Sequence, residues 1–188
     1  MVIDCPVCNG KGTAESTTKT ANIPHFGEIL ESSIICTSCG YKHNDAICLE
    51  QKEPLKIFLP ISKDNLSSRV IKSQSATIDI PELGLKVEPG PKSLGYVSNV
   101  EGVIVRFEKM VKQALNIFND DESQKNGLAI LEKLSLLING EFDATLIIKD
   151  PFGQSNIMDI NAKQEPLTEE ELKHLKTGFM IFEENSEE

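Results

Sequence analysis

Two cysteine pairs, Cys5-Pro6-Val7-Cys8 and Cys36-Thr37-Ser38-Cys39, constrain this chain more than any other feature. A C-x-x-C spacing lets two sulfurs face one ion across a tight turn, and two such pairs supply the four thiolates of a tetrahedral Zn2+ shell. The 27 residues between Cys8 and Cys36 exceed the commonest spacing but suit a zinc ribbon that holds a β-hairpin or an extra loop between its knuckles. Four sulfurs leave no open coordination position, so the expected ion is structural. Gly10, Gly12 and Gly40 supply unhindered backbone beside the ligands. A disulfide framework suits a secreted chain, whereas Met1-Val2-Ile3-Asp4 does not read as a secretory signal. A redox C-x-x-C usually occurs once, beside a βαβ pattern. Thiolate zinc in a reducing setting implies a cytoplasmic protein. Cys48, in the apolar run Ala46-Ile47-Cys48-Leu49, reads as a small buried hydrophobe.

Charge narrows the partners. The chain of 188 residues carries a net −10. Residues 1–50 hold three Lys against six acidic residues, and residues 164–188 two Lys against eight Glu. Phosphate binding needs a positive surface, so a nucleic-acid role is disfavoured. No apolar run is long enough to span a membrane.

Between the knuckles, Thr13 to Thr20 is polar and reads as a mobile stretch or hairpin tip. Ile23-Pro24-His25-Phe26-Gly27-Glu28-Ile29 breaks that polarity, and Phe26 there is either a contact residue or a filler of the ribbon core. Ile34-Ile35 leads into the second knuckle as a strand, and Tyr41 to Leu49 leads out as another. Beyond residue 50 the pattern is β. Lys56 to Leu59 is a strand ending at Pro60. Ala76, Ile78 and Ile80 share one face of a second, and Leu83, Leu85 and Val87 alternate in a third. Short, closely spaced strands indicate a sandwich or barrel.

The period then changes. Val100, Val103, Ile104, Phe107, Val111, Ala114, Leu115 and Phe118 recur at helical steps, with Ser98 and Glu101 spelling a capping box. A second helix carries Leu128, Leu131, Leu134, Leu137 and Ile138 and stops at Asn139-Gly140. The two form an antiparallel hairpin at about residues 98–140, with Phe107 and Leu131 buried. Arg106, Lys109 and Lys112 read as a solvated strip on the opposite face. Strands resume at Thr145-Leu146-Ile147-Ile148 and Ile157-Met158-Asp159-Ile160 around the turn Asp150-Pro151-Phe152-Gly153. Thr168 and Glu171 spell a capping box for a short helix to about Lys176. Phe179 to Phe182 reads as a final strand and Glu183 to Glu188 as an acidic tail.

Catalytic signatures are missing: there is no P-loop, nucleophile elbow or dinucleotide fingerprint. His25, His43 and His174 are scattered, and His43 beside the second knuckle reads as a surface residue because four cysteines already complete the shell. The chain is therefore expected not to be an enzyme.

A set of motifs in fixed order carries a resemblance: Cys5-Pro-Val-Cys8, Ile23-Pro-His-Phe-Gly-Glu28, Cys36-Thr-Ser-Cys-Gly-Tyr41, Lys72-Ser-Gln-Ser-Ala-Thr77, Ile80-Pro-Glu-Leu83, Asn99-Val-Glu-Gly102 and Asp150-Pro-Phe-Gly-Gln-Ser155. From about Cys5 to Phe182 the chain resembles the ZPR-type zinc-finger proteins, which bind translation elongation factor 1-alpha. The resemblance implies a mainly β fold with some α. A four-Cys zinc ribbon (1–50) is followed by a double-stranded β-helix, or jelly-roll-like, domain (51–182) with an inserted helical hairpin, then the tail (183–188). It further implies one structural Zn2+ on Cys5, Cys8, Cys36 and Cys39, and an adaptor or chaperone role toward elongation factor 1-alpha. Eukaryotic members carry two modules where this chain has one, as in an archaeal form, and Ser98-Asn99 stands where Thr-Thr is usual. On that reading the partner meets the ribbon and the adjoining edge of the β domain, through Phe26, Tyr41, Glu28, Glu82 and Glu101. Glu101 as a helix-cap partner and Glu82 as a turn residue are the structural alternatives. A zinc ribbon associated with transcription or RNA, and a jelly-roll small-ligand binder or enzyme, remain the rival readings.

Overall fold

The computed structural model describes residues 1–23, 27–49 and 52–178; of Ile23 and residues 45–48 only the backbone is described. Phe26, the strand expected over Phe179 to Phe182 and the acidic tail lie outside the described residues, as does the side chain of Cys48. The chain divides into two compact units, Met1–Gln51 and Lys52–Glu188.

The first unit is an antiparallel sheet of β1 (Val2–Ile3), β2 (Ala14–Ile23), β3 (Gly27–Cys36) and β4 (Lys42–Cys48), in that order. The Thr-rich stretch is therefore neither mobile nor a tip. It is a strand, paired with β3 over ten residues from Ala14↔Cys36 to Ile23↔Gly27. Thr favours extended backbone, and full ladder pairing holds a strand whose exposed side chains lack apolar alternation.

In the second unit, β5 (Leu55–Ile61), β6 (Arg69–Lys72), β7 (Thr77–Ile80), β8 (Leu85–Val87) and β9 (Tyr96–Asn99) precede the helices. α1 (Val100–Ile117) and α2 (Asp121–Ile138) follow, then β10 (Ala144–Asp150), β11 (Asn156–Met158), β12 (Lys163–Pro166) and α3 (Glu169–Lys173). One sheet runs β12-β5-β10-β7-β8 and a second β11-β6-β9, every pairing antiparallel. This is a jelly roll with a helical hairpin inserted. Ile57, Leu59, Ile78, Ile80, Leu146 and Ile148 from the larger sheet and Val70 and Ile157 from the smaller meet Val100, Ile104, Leu134 and Leu137 of the hairpin in one core.

Several local expectations are corrected. β5 does not stop at Pro60. The Pro60 carbonyl accepts from Asn65 Nδ2 at 2.8 Å, so that edge of the residue points away from β10 and its missing N–H interrupts no ladder bond. Leu83 belongs to a 3-10 turn, Pro81–Leu83, closed by Gly84 at φ 64°, so it does not continue the alternation of Leu85 and Val87. The Ser98–Glu101 capping box does not form; Asn99 caps α1, its Oδ1 accepting from the Gly102 N–H at 2.8 Å. Leu131 is only half-buried and Leu128 is exposed, because α2 turns its Leu134–Leu137 face inward. Phe107 is buried as expected. The box between Thr168 and Glu171 forms, but α3 ends at Lys173.

Candidate metal centre

The knuckles are built alike. In the first, the Asn9 N–H donates to the Cys5 carbonyl at 2.9 Å and Asn9 takes φ 55°; in the second, the Gly40 N–H donates to the Cys36 carbonyl at 3.1 Å with φ 73°. The residue after the second cysteine of each pair thus turns left-handed, a position Gly and Asn tolerate. Asn9, not Gly10, is the counterpart of Gly40. The Cys5 N–H donates to the Gly10 carbonyl and the Cys36 N–H to the Tyr41 carbonyl, closing each loop. Pairing of Ala14 with Cys36 places one knuckle beside the other.

The sulfurs converge. Cys5 and Cys39 Sγ lie 3.7 Å apart, Cys8 and Cys36 Sγ 3.9 Å apart, and all four ligand atoms fall within 4.8 Å of one another. Zn–S bonds of about 2.3 Å put tetrahedral sulfurs about 3.8 Å apart, so the donor set fits Zn2+ in size and chemistry. Its electrostatics call for a cation. The Thr13 hydroxyl, 3.4 Å from Cys36 Sγ, and then the Cys39 backbone pull the Cys36 thiol down to about 6. At Cys39 the Tyr41 N–H pulls the same way, but burial and the sulfurs of Cys36, Cys8 and Cys5 outweigh it and push the thiol up to about 12. Four neighbouring thiols cannot all ionise until a metal neutralises the charge. Cys5 and Cys36 are buried with Ala14, and Ile3, Ile34 and Tyr41 pack around them.

The other singled-out residues do not gather at this centre. Tyr41 is half-buried, its ring stacked on exposed His43 with centroids 6.3 Å apart. Glu28 is exposed on β3, Glu82 is exposed in the 3-10 turn, and Glu101 is exposed in the first turn of α1. Arg106, Lys109 and Lys112 are exposed, as a solvated strip requires, and the Arg106 guanidinium also lies 4.1 Å from the Tyr96 ring centroid. Lys112 pairs with Glu108 one turn away.

Two of the motifs quoted above meet in a buried polar network. Asp150, fully buried, accepts from the Phe152, Gln154 and Ser155 N–H groups and from Ser155 Oγ at 2.6–2.9 Å. Ser155 Oγ in turn accepts from the Ser73 N–H at 3.0 Å, and Ser75 Oγ donates to Asp150 at 3.4 Å. The order of these residues in the chain does not disclose that they are partners.

Known proteins match this arrangement unit by unit. A ZPR1 zinc-finger domain matches residues 1–47 and a ZPR1 jelly-roll domain residues 64–177. A ZPR1-like protein of Methanocaldococcus jannaschii is 41% identical over 96% of this chain and 92% of its own, and one of Pyrococcus horikoshii 38% identical over 98% and 84%. A zinc finger chaperone of Schizosaccharomyces pombe is 28% identical over 96% of this chain but 40% of its own length. Among the described residues no helix is long and apolar enough to cross a membrane.

Proposed function

The chain belongs to the ZPR1 family, and from that membership we propose that it is a non-enzymatic zinc-ribbon chaperone or adaptor acting in the cytoplasm, with translation elongation factor 1-alpha as its client. One observation carries the reading: a relative named as a zinc finger chaperone aligns with 96% of this chain. A metal held by four sulfurs offers no position to a substrate, which favours a structural role for the ion over a catalytic one. The client itself comes from the resemblance read in the motifs. Exposed Glu28, Glu82 and Glu101 supply negative charge that would steer a basic client and tune specificity.

The test is a titration of the elongation factor, in each nucleotide state, against wild type, Phe26→Ala and Tyr41→Ala. Zinc content and melting serve as controls, because Tyr41 also packs on the ribbon core. A hot spot loses at least ~2 kcal/mol of binding with zinc content unchanged. Unchanged affinity in both variants moves the contact off the ribbon. Absence of wild-type binding in both states overturns the client.

A further inference from the structure

The second unit contains a cavity of about 300 Å3, at the lower end of the ~300–1,000 Å3 typical of small-ligand sites. It opens between β8 and β9, the edge strands of the two sheets, under α1. Its walls are apolar: Ile78, Val87, Val103, Phe107 and Met110. Its charge is not what a chain of net −10 would supply by chance, because Lys72, Arg106 and Lys109 all line it.

Lys72 is the unusual member. A strand lysine normally reaches water, yet this one is 4% exposed. Its ammonium donates to the Ser73 carbonyl at 2.8 Å and stands 6.0 Å from the centroid of Tyr96, its cross-strand partner. Arg106 addresses the same ring from α1 at 4.1 Å. Two cations thus converge on one aromatic ring beside an apolar hollow, and no ion pair among the described residues involves Lys72, Arg106 or Lys109. Glu88, the one carboxylate among the described lining residues, is already held by Lys86 and Lys176, each at 2.6 Å. Burial brings the Lys72 ammonium down to about 8 despite the opposing charge of Asp150.

We propose that this cavity binds a small amphiphilic carboxylate, its acid group set against Lys72 and Arg106 and its aliphatic or aromatic body against Val87, Val103 and Phe107. The site stands apart from the client reading and survives its failure. Arg106 supplies the planar fork that pairs with a carboxylate, and Lys72 supplies a desolvated point charge. A neutral analogue of the same shape would leave both cations without a counter-charge.

Calorimetric titration of the whole zinc-loaded chain with octanoate and phenylacetate, against octanamide and phenylacetamide, tests this. The carboxylates bind at least ~10-fold tighter than their amides, and Arg106→Gln removes that preference while melting is unchanged. Lys72→Met has the same effect; if it does not fold, Lys109→Gln, an exposed residue of the same lining, takes its place with a smaller loss. Equal binding of acid and amide, wild-type behaviour of Arg106→Gln, or no binding at millimolar acid overturns the proposal.

Discussion

The ribbon and the jelly roll solve the same problem with different physics. In the ribbon the buried cluster is Cys5, Ala14 and Cys36, two of them ligands, and the longest strand pair carries Thr, Ser, Lys and Glu. In the jelly roll a continuous apolar cluster reaches from Ile57 on β5 through Ile104 and Leu134 of the hairpin to Ile157 on β11. A module of some fifty residues has too little interior to hold itself by burial, and a metal supplies what the core lacks. The second unit is held by its sheets and helices, which bury one another's apolar faces. Cohesion in one unit is concentrated in four atoms; in the other it is spread over many side chains.

The contrast is sharpest under substitution. Cys36→Ser removes a ligand worth a share of the about 10–16 kcal/mol typical of a structural Zn2+ site, and the ribbon should lose both metal and strand signal while the jelly roll melts as before. Mass spectrometry under native conditions and thermal melting check this together. Leu134→Ala empties a site that is 1% exposed and should cost about 2–5 kcal/mol in denaturant unfolding of the jelly roll, with one zinc per chain retained. Asp150→Asn should cost about 1–3 kcal/mol, because an amide NH2 would face N–H donors that now point at a carboxylate. A smaller effect belongs to Leu131→Ala, below that of Leu134→Ala because Leu131 is half-buried.

Glu171→Gln is the mildest. The Thr168 N–H first, and then Lys56 at 3.0 Å, hold the Glu171 carboxyl down to about 2. A depressed carboxyl contributes stability that is fully present above its ordinary value near 4.5 and is lost as pH falls through about 2. The variant should therefore cost about 0.2–1 kcal/mol at neutral pH, and the difference from wild type should fade in the most acidic melts.

The same contrast explains what the sequence disclosed. The metal centre was legible because its ligands sit in two short local repeats. The hairpin core was legible because Val103, Ile104 and Phe107 recur at helical steps. β2 was not, since a strand held by pairing beside a metal needs no apolar alternation. β12 carries Lys163-Gln164-Glu165-Pro166, with no apolar alternation, and only its pairing with β5 reveals it. The cap of α1 was misplaced by one residue, because Ser98 and Asn99 are both competent caps and Ser98 alone has a Glu three residues on. The cation-lined cavity went unread for a different reason: Lys72 on β6 and Arg106 on α1 meet only through tertiary packing around Tyr96.

Amide hydrogen exchange with and without a zinc chelator tests the division of labour most directly. Chelation should strip protection from the paired amides of Ala14–Ile23 and Gly27–Cys36 and leave those of Ala144–Asp150 as slow as before. Retained protection in the ribbon after the metal is gone, or simultaneous loss in both units, would contradict it.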